Sequence, residues 1–121
     1  MTEWNADDLA TIDRDGELRV AAQRPDGSSR TPRIVWHVVV DGNLYVRSVR
    51  GDAGGWYRGV RHTRTGTIDT GDIRAEVTFI RDDSRDDAID RGYHDKYGNS
   101  SAVDAITSPA ARATTLRVEP R

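Results

Sequence analysis

The sequence predicts a mainly β domain of the α+β class: a six-stranded, mostly antiparallel sheet, closed or partly closed into a barrel, with short helices around it. Three observations carry this expectation. Two segments, Arg33–Val40 and Ile73–Ile80, alternate their side chains with a period of two, as packed strands do. Turn signals at Pro25-Asp26-Gly27, Asp41-Gly42 and Gly71-Asp72 favour hairpins, and hence antiparallel pairing. One short helix interrupts the strands midway, which suits a barrel.

The elements follow in order. Asn5 is a natural N-cap with Asp8 at the third helical position, and Trp4 and Leu9 flank it as a hydrophobic staple. Leu9 and Ile12 share a face, and Gly16 is the expected stop. Glu17–Arg24 reads as the first strand. Arg33–Val40 is the strongest: Ile34, Trp36, Val38 and Val40 point one way, and Val35, His37 and Val39 the other. Both faces are mostly apolar, so this strand is expected at the centre of the sheet. Leu44–Val49 is its hairpin partner. Arg50–Gly55 is a glycine-rich loop, Trp56–His62 a short helix, and Gly66–Thr70 a short strand. Ile73–Ile80 turns Ile73, Ala75, Val77 and Phe79 inward. Asp82-Asp83-Ser84 starts a helix that carries Ile89, Tyr93 and Tyr97 along Arg85–Tyr97, with Gly98 closing it. Asn99–Ala113 reads as loop, with Pro109 as a breaker, and Thr114–Glu119 is the last strand.

A chain of 121 residues suits a single domain spanning 1–121. Its net charge of −2 attracts neither nucleic acid nor an anionic membrane. The absence of cysteine excludes disulfides, thiol nucleophiles, iron–sulfur clusters and cysteine-type zinc sites. Met1-Thr2-Glu3-Trp4 has no basic region leading into an apolar one, so no signal peptide is expected. The longest apolar run, Ile34–Val40, is broken by His37 and is too short to span a bilayer. The expected location is the cytoplasm. Lys96 is the only lysine, so any anion-binding side chain is expected to be arginine.

The stretch Arg47-Ser48-Val49-Arg50-Gly51, followed by Gly54-Gly55-Trp56-Tyr57-Arg58, has the strongest chemical pattern. A strand end runs through a glycine-bearing loop to a helix N-terminus, whose free N–H groups favour an anion. Arg47, Arg50 and Arg58 offer charge-assisted contacts to phosphate, and Ser48 adds a hydroxyl. Trp56 and Tyr57 offer faces for a planar ring. Phosphate plus planar ring describes a flavin, a deazaflavin or a nucleotide. The competing reading is a surface loop with solvated arginines and a core tryptophan. Arg30 and Arg33 flank Thr31-Pro32 and can reach the same pocket, or serve as edge charges. Trp36 is core or pocket floor. His37, His94 and Tyr97 are the acid–base candidates; against this, His37 sits among valines as a core group does, Tyr97 shares an apolar stripe, and His94 lies one turn from Asp90 as a surface pair does. The five aspartates of Asp82–Asp90 lack the pattern of a calcium loop, and the three histidines are too scattered for a metal site.

The stretches Thr31-Pro32-Arg33-Ile34-Val35-Trp36, Asp41-Gly42-Asn43-Leu44-Tyr45-Val46-Arg47-Ser48, Gly55-Trp56-Tyr57 and Gly66-Thr67-Ile68 together resemble the FMN-binding split β-barrel superfamily, and most of all its deazaflavin-dependent nitroreductases. Nearly the whole chain is similar to a family common in actinobacteria, domain of unknown function 2255. The tail carries that closer likeness in Tyr93-His94-x-Lys96-Tyr97 and in Pro109-Ala110-x-Arg112-Ala113-Thr114-Thr115-Leu116-Arg117-Val118-x-Pro120-Arg121. The resemblance implies a split barrel. It also implies FMN or a deazaflavin as cofactor, with Arg33, Arg47, Ser48 and Arg50 at the phosphate-holding positions. The nitroreductases carry a basic Gly-x-x-Ser-Gly-type loop ahead of the strand; Asp26-Gly27-Ser28-Ser29-Arg30 matches it only in part. The expected cofactor-binding set is Arg33, Trp36, Arg47, Ser48, Arg50, Gly51, Trp56 and Tyr57. Two functions follow: a flavin- or deazaflavin-dependent oxidoreductase acting on a small apolar or aromatic molecule, or a cofactor-free barrel that binds a small molecule or serves a non-redox biosynthetic step. The resemblance also implies a homodimer, formed through an exposed apolar face of the central hairpin.

Overall fold

A computed structural model describes residues 3–121; Met1 and Thr2, part of the stretch read for a leader, lie outside it. The chain folds as a split β-barrel with short helices packed at its rim and side. The elements are α1 (Ala6–Arg14), β1 (Leu18–Ala22), β2 (Arg33–Val35), β3 (His37–Val40), β4 (Asn43–Val46), α2 (Gly55–Thr63), β5 (Thr65–Asp69), β6 (Arg74–Arg81), α3 (Asp86–Tyr97), α4 (Ser101–Ile106), α5 (Pro109–Arg112) and β7 (Leu116–Pro120). Among the described residues no helix is long and apolar enough to cross a membrane.

The described residues form seven strands, not six. The sheet runs β2-β1-β5-β6-β7-β4-β3, and every pairing in it is antiparallel. The segment expected as one central strand is two. Val35 pairs with Leu18 of β1, whereas His37 pairs with Val46 of β4. Because β1 and β4 stand at opposite ends of the ladder, the segment 33–40 bridges both, and the barrel closes there. Trp36 is the residue at the step.

The predicted alternation holds across that step. Val35 and Val39 face the barrel core with Leu18, Val20, Leu44, Val46, Ile68, Val77, Phe79 and Val118. Trp36, Val38 and Val40 face a second cluster, where Ile89 and Tyr93 of α3 and Val103 and Ile106 of α4 cover Tyr45. The segment is therefore apolar on both faces because it has a core on each side, not because it is central. For the same reason the hairpin face expected to be free is covered by α3 and α4. Among the described residues the exposed large apolar side chains are Ile34 and Val49.

Local signals explain most boundaries. The Asn5 side chain accepts from Asp8 N at 2.7 Å and caps α1, while Leu9 and Ile12 are buried. The Asp41-Gly42 hairpin takes φ of 51° and 79°, as a type I′ turn requires. The expected loop 99–113 is instead largely helical. Ser108 caps α5 by accepting from Ala111 N at 3.2 Å, and Pro109 stands at the first helical position, where a missing N–H loses no bond. In α4, Val103 and Ile106 are three apart and bury one face together.

Candidate functional site

The main cleft lies where the β1–β2 connection, the end of β4 and the start of α2 meet. It holds about 710 Å³, within the roughly 300–1,000 Å³ common for small-molecule sites. Four arginines line it: Arg24 and Arg30 from the β1–β2 connection, Arg33 from β2, and Arg50 after β4. No carboxylate is among its lining residues, and the ion pairs of the described residues involve none of the four. Ile34 and Val49, each 54% exposed, add apolar surface, and half-buried Trp56 presents an indole. A smaller depression of about 380 Å³ beside α3 is lined by Asp86, Asp87, Arg91 and Arg112, so its charges offset one another.

Two features at the cleft point to an anion. Gly54 caps α2 without a side chain, so the first N–H groups of that helix have no side-chain acceptor. Beside it, Ser48 is 1% exposed and its Oγ has no hydrogen-bond partner, although its backbone N–H donates to Thr114 Oγ1 at 2.8 Å. A buried hydroxyl without a partner is costly unless something in the cleft bonds it. A Cβ on Gly54 would stand 2.3 Å from that Oγ, so the glycine keeps the place open. On the next turn of α2, a Cβ on Gly59 would stand 2.9 Å from Arg30 Cδ. The arginine stem thus lies flat across the helix, with its guanidinium at the cleft.

Arg47 lies elsewhere. It is 1% exposed and its guanidinium is fully engaged. Nε donates to Thr115 Oγ1 at 2.9 Å, Nη2 to Asp86 Oδ1 at 3.1 Å, and Nη1 to Asp90 Oδ1 and to Ile106 O. Its Cζ stands 5.6 Å from the Tyr93 ring centre. Arg47 therefore ties β4 to α3, α4 and β7, and has no donor left for a phosphate. Trp36 stacks on Tyr97 at 4.2 Å and 6° in the second core, away from the cleft. Tyr57 is buried in the barrel core, edge-on to Trp56 at 6.1 Å. Gly51 is buried and lies against Ala110. Of the expected cofactor-binding set, Arg33, Ser48, Arg50 and Trp56 come together at the cleft; Trp36, Arg47, Gly51 and Tyr57 do not line it.

The residues 8–118 match the family described as an uncharacterized protein conserved in bacteria, DUF2255. The chain belongs to this family. No curated protein matches it. Among solved structures, it is similar to HutZ, the heme storage protein from Vibrio cholerae, at 11% identity over 96% of this chain and 89% of that one, with a TM-score of 0.65. It is similar to a putative 5-nitroimidazole antibiotic resistance protein from Bacteroides thetaiotaomicron at 14% identity, over 99% and 81%, with a TM-score of 0.58. It is also similar to an F420 reductase at 16% identity, over 92% and 90%, with a TM-score of 0.56. At such identities these likenesses establish the split-barrel fold.

In this member of the family the three acid–base candidates do not line the cleft. His37 is fully buried; its Nε2 lies 2.7 Å from Ile12 O, to which the neutral ring donates. Burial pushes its pKa down to about 4. Nδ1 has no partner, and Lys96 Nζ stands 3.1 Å from Nε2. The Tyr97 hydroxyl accepts from His37 N at 3.2 Å and donates to Gly16 O at 3.1 Å, which pins β3 to the α1–β1 connection. Burial raises its pKa. His94 Nδ1 bonds Asn99 Oδ1 at 2.7 Å on the surface. Among the described residues no cluster of histidine and acidic side chains could hold a metal. Ile34, Val49 and Arg24 are cleft residues outside the expected set, and Arg24 is the charged one among them. Its signal was the turn at Pro25-Asp26-Gly27, which folds Arg24 back beside the Ser28–Arg30 arm: Arg24 Nη1 donates to Ser29 O at 2.7 Å.

Proposed function

We propose that this chain binds a phosphate-bearing flavin or deazaflavin in the arginine-lined cleft and acts as an oxidoreductase on a small apolar or aromatic molecule. The observation that carries the reading is the unpartnered Ser48 hydroxyl beside the side-chain-free start of α2, among arginines that have no carboxylate. Ser48 Oγ, the first N–H groups of α2 and Arg50 would hold a phosphate; Trp56, Ile34 and Val49 would flank the ring. When bound, such a cofactor supplies two-electron redox chemistry. The protein's part is to orient it and to cover one side with apolar surface. A proton, if one is needed, comes from solvent or substrate, because the lining includes no histidine, tyrosine or carboxylate. The F420 reductase among the similar structures agrees with this reading. Heme agrees less well: the cleft offers no histidine, cysteine, methionine or tyrosine to ligate iron.

The test is a thermal melt of the purified chain with riboflavin, FMN, a deazaflavin cofactor and heme. A ligand at a hundred times its Kd adds about 2.7 kcal/mol, which for a domain of this size raises Tm on the order of 10 °C. FMN or the deazaflavin should raise Tm and riboflavin, which lacks the phosphate, should do so far less. No shift with either phosphate-bearing cofactor overturns the proposal, and a shift with heme alone replaces it.

A further inference from the structure

The cleft collects more positive charge than one phosphate can offset. A phosphate monoester carries about −1.5 to −2 at neutral pH, against four guanidinium groups with no carboxylate in the cleft lining, of which Arg24 alone has an acid, Asp26, close by. The chain's net charge is −2, and its buried or half-buried arginines, Arg47, Arg112 and Arg117, are each paired, whereas the four cleft arginines are exposed, unpaired and gathered around one cavity. Four like charges around one cleft repel one another, and the repulsion weakens only when anions enter.

The arginines also fall into two places. Arg50 lies on the β4–α2 connection between Ser48 and Gly54 and lines the cleft with them. Arg30 crosses the helix at Gly59, which is four residues beyond Gly55 and so about 6 Å along the axis at 1.5 Å per residue. Arg24 and Arg33 come from the same β1–β2 arm as Arg30 and line the cleft with it. Resting on the cleft assignment above, we infer that the ligand carries two separated anionic groups: one at Ser48, Arg50 and the α2 N-terminus, and a second at the Arg24–Arg30–Arg33 cluster. The ligand class is a phosphate ester with another acidic group several bonds further on, not a simple monophosphate. Gly59 is then a specificity residue, because a side chain there would lift Arg30 away from the helix.

Isothermal titration of the full chain at fixed ionic strength tests this with two ring-free probes, butyl phosphate and butanediol bisphosphate. The bisphosphate should bind at least tenfold tighter. Arg30→Gln should bring that ratio below threefold, whereas Arg50→Gln should weaken both probes to a similar degree. Arg30 and Arg50 are exposed, and a melt of each variant checks that its fold is intact. Equal affinity for the two probes, or a ratio unmoved by Arg30→Gln, overturns the second anion subsite and leaves the single phosphate anchor standing. Absence of binding by both probes and by FMN overturns the cleft assignment as well.

Discussion

Replacing Arg47 with methionine separates a structural hub from a ligand anchor. The side chain joins two carboxylates, the Thr115 hydroxyl and the Ile106 carbonyl, with no exposed surface of its own. Removing one partner of a buried ion pair costs about 3–5 kcal/mol, because the remaining charges lose their compensation. Asp86 and Asp90 retain 16% and 25% exposure, so water relieves part of that cost and the lower end applies, about 3 kcal/mol. Methionine fills most of the vacated volume, so a cavity adds little. With a urea slope of roughly 1.5 kcal/mol per molar, the midpoint should fall by about 2 M. Arg47→Lys keeps the charge but loses the planar fork, and should lie between the two. FMN affinity, measured well below the unfolding transition, should change less than threefold. A midpoint within roughly 0.5 M of the parent, or a loss of FMN binding at unchanged stability, would refute the hub and return Arg47 to the ligand site.

Three further outcomes are expected. His37 has a folded pKa of about 4 against an unfolded value of 6.5, so the unfolded chain binds the proton first as pH falls. Its full contribution is present above pH 6.5 and drains away between 6.5 and about 4, by on the order of 3 kcal/mol; urea midpoints across that range should show the loss, and His37→Gln should flatten it. Tyr97→Phe keeps the stack on Trp36 but removes the bonds to His37 N and Gly16 O, and should cost about 1–2 kcal/mol in chemical denaturation. Gly54→Ala drives a methyl onto Ser48 Oγ and should abolish the FMN-induced rise in Tm, while Gly54→Ala combined with Ser48→Gly should restore stability but not binding.

The fold was legible where its causes were local. Period-two alternation, the Asp41-Gly42 turn and the Asn5 cap each act within a few residues, and each stands where the sequence placed it. The strand count was not legible, because nothing local marks Trp36 as a step: no glycine or proline interrupts Arg33–Val40. The division arises from partners far apart in the chain, Leu18 for Val35 and Val46 for His37. The helices in 99–113 were legible in principle, since Ser108-Pro109 is a helix start, but Pro109 was read as a breaker. At the site, the strand–loop–helix stretch from Ser48 to Trp56 pointed to the cleft, yet Arg47, Trp36 and Tyr57 within the expected set turned to other partners.

Arginine alone could not make that distinction, because the residue type is the same in both roles. What separates Arg47 from Arg50, three positions later, is strand parity and distance partners. Arg47 follows the last residue of β4 and faces α3, where Asp86 and Asp90 lie one turn apart on one side of the helix. Arg50 follows after the chain has left the ladder and finds no acid. Two of the aspartates at the start of α3, Asp86 and Asp90, are the counter-charges that hold Arg47 in place. The same rule applies across the chain. An arginine whose carboxylate the fold supplies is part of the scaffold, and a set of arginines gathered without one marks where a ligand must bring the charge. By that rule the proposed binding surface is the cleft lined by Arg24, Arg30, Arg33 and Arg50.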